Sequence, residues 1–225
     1  MKRLQSGLLL VALVLLALLF SCKKNNDSEV AKKDYSIFFK GKVWAGELQY
    51  EGSTAEPYSI TFDNSDGFTW EEYSGEYAGK YMIDAENKEL TISFASGSEV
   101  IAKITDDGKL SEFTTNTTYG WKLLNSELDT MTLQVLDNTI WRGTQGEGEQ
   151  DSLRFDFHSG SKADIRIVGA VLGTELPYER KAGAQRCIYY HSSEKWEFFS
   201  VLMANNTMKG TLVRQSKTPY VLTKE

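Results

Sequence analysis

A stretch of nine residues near the start of the chain recurs 97 residues later. Phe38–Gly46 reads FFKGKVWAG and Val135–Gly143 reads VLDNTIWRG. Each has two bulky apolar residues, a polar turn with Gly or Asn, a β-branched residue, tryptophan, a spacer and glycine. Further on, the segment Ser59–Phe62 corresponds to Ser152–Phe155. Because this period is that of a whole domain, we expect two copies of one domain of about 90 residues.

Each copy reads as eight short strands separated by turns, with no convincing helical stripe. The first set runs from Val43 to Leu124 and the second from Ile140 to Thr223. Asp-Gly pairs mark several of the turns, because tight hairpins need a residue with positive φ. Successive hairpins favour an up-and-down meander, and closing it removes the exposed edges. We therefore expect an all-β fold of two tandem up-and-down antiparallel barrels, with about eight strands each.

Alternation of apolar and polar residues indicates which side chains point into each barrel. An interior of eight strands is either filled by side chains or holds one small ligand. The number of large rings favours a filled core, and a ligand cavity remains the alternative. The residues expected inside are Phe62, Phe68, Trp70, Leu90, Ile92 and Phe94 in the first copy, and Leu153, Phe155, Phe157, Ile165 and Ile167 in the second.

The amino terminus has the pattern of an export signal. Lys2 and Arg3 precede an apolar run from Gly7 to Phe20, which is short for a membrane span. Leu19-Phe20-Ser21-Cys22 follows and resembles the bacterial lipobox. The resemblance implies cleavage before Cys22 and acylation of that residue, with a retained membrane anchor as the alternative. We expect a lipoprotein signal peptide over residues 1–21 and a lipidated flexible tether over 22–33.

The two domains resemble the lipocalin-like, or calycin-like, domains of Bacteroidetes lipoproteins. The resemblance rests on Trp44-x-Gly46 and Trp141-x-Gly143 at the domain starts, on the strand count and on the lipobox. It implies that both tryptophans close barrel ends as packing residues, and that Gly46 and Gly143 are structural residues beside them. The expected domains are 34–127 and 128–225, anchored through Cys22 in the outer membrane, at either the periplasmic face or the cell surface.

Composition excludes several kinds of function. The chain has 25 Lys and Arg against 31 Asp and Glu, a net charge of −6, so phosphate-driven binding of nucleic acid is not expected. Two histidines and two cysteines provide little material for a metal site or a relay. No nucleophile, phosphate-loop or calcium-loop motif is complete, and the segment Asp63–Gly67 is better explained as a turn. We expect no enzyme activity, no metal and no cofactor.

Aromatic residues around one hairpin are the best indication of a ligand. Tyr73, Tyr77 and Tyr81 lie near the Ser74-Gly75-Glu76 turn together with Glu71. Exposed tyrosines beside carboxylates can stack on sugar rings and bond to hydroxyls. Ordinary strand tyrosines are the alternative.

Two further patterns carry predictions. The segment Trp196–Met203 is apolar on both faces, which indicates a strand covered by its own barrel and by the neighbouring domain, or else a partner-binding surface. Asp129-Thr130-Met131 and Asp151-Ser152-Leu153 resemble the O-glycosylation pattern of exported Bacteroidetes proteins, with Thr130 and Ser152 as acceptors.

These observations predict a lipid-anchored binding or assembly protein of the cell envelope. The alternatives are a glycan-binding accessory protein of a polysaccharide-capture system and a carrier of a small apolar ligand. The expected partners are the membrane, through Cys22, and a glycan or an envelope protein.

Overall fold

In the residues that it describes, the computed structural model has sixteen antiparallel strands and one short 3₁₀ helix. It describes residues 33–116, 121–129, 136–146, 152–167, 170–180, 187–191, 197–203 and 205–225. No α-helix occurs in these ranges, and none of their elements is a helix long and apolar enough to cross a membrane. The all-β prediction is confirmed.

The first copy of the repeat forms an eight-stranded sheet in which sequence neighbours pair, and β8 pairs with β1. A 3₁₀ helix, η1 (Tyr35–Phe38), precedes it. The strands are β1 (Val43–Tyr50), β2 (Glu56–Phe62), β3 (Gly67–Glu72), β4 (Gly75–Asp84), β5 (Glu89–Phe94), β6 (Glu99–Ile104), β7 (Leu110–Thr115) and β8 (Trp121–Asp129).

The second copy forms a closed eight-stranded barrel in which β16 pairs with β9. Its strands are β9 (Ile140–Gln145), β10 (Leu153–His158), β11 (Lys162–Ile167), β12 (Ala170–Arg180), β13 (Cys187–His191), β14 (Glu197–Leu202), β15 (Thr207–Val213) and β16 (Lys217–Lys224). Two curled up-and-down sheets in tandem are therefore present, and we call them the first and the second barrel. The second sheet is closed, whereas the first has β7 and β8 as its two edge strands.

The sequence repeat corresponds to a repeat of backbone geometry. Gly41 and Asn138, which are 97 residues apart, both adopt positive φ, at 66° and 60°. The turn around each is closed by a bond from the following residue, Lys42 N–H to Phe39 O at 2.8 Å and Thr139 N–H to Leu136 O at 3.1 Å. Gly and Asn tolerate this left-handed region best, which explains why the first copy has Gly at this position and the second copy has Asn.

One end of the first barrel is closed by η1 and the residues after it. Phe39 is fully buried and stacks on Trp44 with ring centroids 5.1 Å apart. The Trp44 indole donates to Phe38 O at 3.4 Å, and the Tyr35 hydroxyl donates to Asp106 Oδ1 at 3.1 Å. We call this the plugged end. In the second barrel, the Trp141 indole donates to Thr139 Oγ1 at 2.9 Å. Both tryptophans are buried, as expected of packing residues.

The side chains expected inside the barrels lie there. Nine of the eleven are buried, and Phe94 and Ile167 are partly buried against the same cores. The junction between the copies differs from the expected one. β8 continues to Asp129, which pairs with Val43, so the first barrel extends past the predicted boundary at residues 127 and 128. The polar segment from Asn125 to Asp129 resembles a linker in composition, but its backbone groups pair with β1 whatever its side chains are.

The apolar strand near the end of the second copy is covered on both faces. Phe198 and Leu202 of β14 belong to the core of the second barrel. Phe199 and Val201 point the other way and pack with Ala45 of the first barrel. The prediction of a strand between its own core and the neighbouring domain is confirmed. Residues 34–225 form one compact unit.

Candidate functional site

The end of the first barrel opposite the plug carries a polar network, and we call it the distal end. It is formed where β1 ends, β2 begins and the hairpin from β3 to β4 turns. Glu72 lies there on the inward face of β3, two residues after the core residue Trp70, because side chains alternate along a strand. A carboxylate therefore closes a column of inward-facing aromatic side chains.

Glu72 is buried, and its carboxylate accepts hydrogen bonds from Tyr50, Trp70 and Ser74. The Tyr50 hydroxyl donates to Oε1 at 3.0 Å, and the Trp70 indole donates to Oε2 at 3.4 Å. The Ser74 hydroxyl also donates to Oε1. The Ser74 oxygen lies 3.0 Å from the Tyr77 hydroxyl, which links the buried carboxylate to an exposed ring. Together, Tyr50, Glu72, Ser74 and Tyr77 are the distal network.

The rings below the network are packed. Tyr58 stacks on Trp70 with centroids 4.2 Å apart and planes 4° from parallel. Both rings are nearly inaccessible, at 2% and 3% exposure. Burial raises the pKa of Tyr50, and the nearby charge of Glu72 raises it further. The Tyr50 hydroxyl is thus a donor to the Glu72 carboxylate at the barrel rim.

The four residues predicted to form a ligand site do not lie together. Tyr77 is 42% exposed at the distal end, and Tyr81 is 6% exposed within the core. Tyr73 is half-buried and contacts the second barrel, and Glu71 is fully buried on the outward face of β3. The expectation of one exposed cluster is wrong.

Register explains the placement of the two strand tyrosines. Tyr77 is the Cα partner of Trp70, and Tyr81 that of Ile92, both of which are core residues. Both tyrosines therefore share the inward face of β4, not the outward one. Tyr81 packs edge-on against Phe62 at 4.8 Å, well inside the barrel, whereas Tyr77 lies at the rim.

The contacts of Tyr73 cross from the first barrel to the second. Its hydroxyl donates to Glu197 Oε2 at 2.5 Å, and Lys217 Nζ lies 5.1 Å from its ring centroid. Burial and the bond to Glu197 raise the pKa of Tyr73 to about 12. Lys217 also pairs with Glu56 at 2.7 Å. These positions make Tyr73 a residue of the contact between the barrels.

The other predicted site residues are only partly described. Cys22 and Thr130 lie outside the described residues. Ser152 is buried, and its hydroxyl oxygen accepts a bond from the Gln145 N–H at 3.0 Å. A glycosylating enzyme has no access to a hydroxyl in this position once the barrel has folded, so the geometry counts against Ser152 as an acceptor.

The segment that resembles a calcium loop is a turn. Asp63 Oδ1 accepts bonds from the Ser65 N–H at 2.7 Å, the Ser65 hydroxyl at 2.8 Å and the Gly67 N–H at 3.0 Å. These bonds, led by the one from the Ser65 hydroxyl, lower the pKa of Asp63. Within the described ranges, no group of three or more His, Cys, Asp or Glu is arranged to hold a metal ion.

Sequence reasoning missed Tyr50 and Glu56 and gave Glu72 no separate role. A signal for Glu72 was present, because Phe68, Trp70 and Glu72 follow a period of two and alternation places all three inward. No local signal identifies Glu56, whose ion-pair partner Lys217 is 161 residues away.

Comparisons with protein-family models, with curated proteins and with solved structures gave no match.

Proposed function

We propose that this chain is a lipid-anchored binding protein of the bacterial cell envelope, without catalytic activity, that contacts its partner through the distal end of the first barrel. The observation that carries the proposal is the distal network. In it, the exposed Tyr77 hydroxyl is connected through Ser74 to the buried carboxylate of Glu72. Polar groups that converge at one end of a barrel, opposite a closed end, are typical of recognition sites.

The anchoring part of the proposal rests on Cys22 and its resemblance to a lipobox cysteine. In a Gram-negative host, the full chain is expected in the outer-membrane fraction, with the mass of residues 22–225 plus acyl chains. Two or three acyl chains hold a protein stably in a membrane, whereas a single acyl chain gives only weak membrane binding. A Cys22→Ser chain should lose both the added mass and the membrane fractionation. An unmodified cysteine in the membrane fraction would instead indicate a retained apolar segment.

A glycan is the ligand that we favour at the distal end. Tyr77 is 42% exposed, with the exposed side chains of Ser74 and Glu76 beside it. An aromatic ring next to hydroxyl and carboxylate oxygens can stack on a sugar and accept its hydroxyl protons. The apolar-carrier alternative has less support, because a carboxylate points inward at this end of the barrel.

A glycan array tests the ligand. Tyr77→Ala should lower the signal of any bound glycan by about tenfold, because one stacked ring contributes on the order of 1 kcal/mol or more. Met82→Ala is the matched control, since Met82 lies on the same strand and is 64% exposed near the other end. Equal loss in both variants would place binding elsewhere. No binding to any glycan, together with a co-purifying lipid in native mass spectrometry, would favour the carrier.

A further inference from the structure

The contact between the two barrels has opposite charges on its two sides. β1 and β2 of the first barrel contribute Glu47 and Glu56, and β15 and β16 of the second contribute Lys209 and Lys217. Lys209 Nζ lies 2.7 Å from Glu47 Oε2, and Lys217 Nζ lies 2.7 Å from Glu56 Oε1. Both pairs join residues more than 160 positions apart. We call them the clamp pairs.

An apolar patch lies within the same contact. It consists of Ala45 from the first barrel and Phe199, Val201 and Met203 from the second, all at most 3% exposed, with Tyr73 packed against them. Covering the outward faces of strands in this way removes apolar surface from water. The contact thus combines a buried apolar patch with charged pairs, as specific interfaces do.

The Glu56 side chain is the most deeply buried charge among these four. It is 4% exposed, against 38% for Lys217 and 21% and 28% for the other pair. A carboxylate removed from water costs several kcal/mol unless a cation or hydrogen bonds compensate for it. Lys217, whose amine still reaches solvent, supplies that cation from the other barrel.

We propose that the two barrels are one cooperative folding unit, in which Lys217 holds the buried Glu56 carboxylate and fixes the second barrel against the first. The barrels are thus not independent modules on a linker. The proposal does not depend on the proposed ligand or on the lipid anchor.

Calorimetry of the full chain, purified in detergent, tests cooperativity. One unfolding transition is expected, with equal calorimetric and van't Hoff enthalpies. Two transitions, or a single one whose van't Hoff enthalpy is near half the calorimetric enthalpy, would overturn the proposal, because barrels that unfold separately are not one unit.

A mutant cycle tests the role of Lys217. Lys217→Met should lower Tm by about 5 °C or more, because it leaves Glu56 buried without its cation. Lys162→Met removes an equal charge from an exposed pair with Glu175 in the same barrel and should shift Tm by about 2 °C or less. Equal shifts in the two variants would overturn the proposal.

The double variant Glu56→Gln with Lys217→Met keeps the test decisive if the single variant does not fold. Replacing both charges removes the uncompensated carboxylate, so at least half of the lost Tm should return. Hydrogen exchange of Lys217→Met should also show lost protection in β1 and β2 of the first barrel. Loss confined to the second barrel, or no recovery in the double variant, would contradict the clamp.

Discussion

Close backbone approach explains one of the glycines of the repeat. A Cβ at Gly143 would lie 1.9 Å from the Val221 carbonyl oxygen of the neighbouring strand. Two ladder strands would have to separate to admit a methyl group, which costs more than filling a loose site. Gly143 and its counterpart Gly46 were predicted to be structural residues, and at Gly143 the reason is contact with another backbone.

Gly143→Ala is therefore expected to reduce the free energy of unfolding by about 2 kcal/mol or more. The control is Gly160→Ala, at a turn with φ of 76° and no heavy atom within 4 Å of the added Cβ. That variant should lose only about 1–2 kcal/mol, from backbone strain. Urea unfolding measures both, and a smaller loss for Gly143→Ala than for Gly160→Ala would contradict the explanation.

The Tyr73 hydroxyl makes the contact between barrels sensitive to alkaline pH. Its pKa is raised to about 12, above the ordinary value for tyrosine. A raised pKa in the folded state means that the stabilisation is present below the unfolded pKa, near 10, and is lost as pH rises toward 12.

Comparison with Tyr73→Phe isolates this effect. At pH 7 the variant should be less stable by about 1 kcal/mol, since it lacks the bond to Glu197. Between pH 10 and 12 the difference in the free energy of unfolding should shrink. Only the unsubstituted protein has the Tyr73 hydroxyl, so only it loses this contribution. Urea titrations at several pH values give that difference. A gap that stays constant over the range would refute the assignment.

At the scale of the element, strands and turns were easier to predict than the distance of a side chain from the barrel rim. Each copy has the eight strands expected within its span, because explicit turns such as the one ending at Gly108, with φ of 84°, divide the chain. A period of two gives the face of a strand but not the distance from the barrel rim. For that reason Tyr77 and Tyr81 share one face of β4, but Tyr77 is 42% exposed and Tyr81 only 6%.

Long-range pairings account for what the sequence did not reveal about the candidate site. Tyr73 was read as a ligand-binding ring, but Glu197, which is 124 residues away, accepts its hydroxyl proton in a hydrogen bond. No local pattern predicts which outward face of one barrel will meet another. The doubly apolar β14 was recognisable because a strand that is hydrophobic on both faces must be covered on both.

The plug at the end of the first barrel gives a prediction for one element. Phe39→Ala should destabilise the chain by about 3–5 kcal/mol, since the ring is fully buried between Trp44 and Phe62. Ile37→Ala, in η1 and 60% exposed, should change stability by less than about 0.5 kcal/mol. Urea unfolding again distinguishes them, and similar small losses would show that the plug does not support the barrel.

At the scale of the whole molecule, the copies differ in closure. The second sheet closes through β16 and β9, whereas the order of the first begins at β7 and ends at β8. Both keep the same entry turn, buried tryptophan and meander. The sequence predicted two barrels and left a partly open one possible, because closure depends on how the last hairpin meets the first strand and side-chain alternation carries no information about that.

The cysteine count gives a prediction for the full chain. Besides Cys22, the chain has only Cys187, in β13. If Cys22 carries lipid, no intramolecular disulfide can form even in an exported protein. Reductant should therefore leave Tm unchanged to within about 1 °C, because no cross-link restricts the unfolded chain. A drop of several degrees would reveal a bond between the two cysteines and would argue against acylation.

The contact between the copies also bears on the symmetry of assembly. It joins two different surfaces, and heterologous contacts of this kind propagate into closed rings or open filaments when every unit carries both surfaces. The second copy has Arg142 and Thr144 where the first has Ala45 and Glu47. A long charged side chain replaces a methyl group, and a neutral one replaces the carboxylate of a clamp pair. The surface with which the first copy holds the second is therefore not repeated on the second copy.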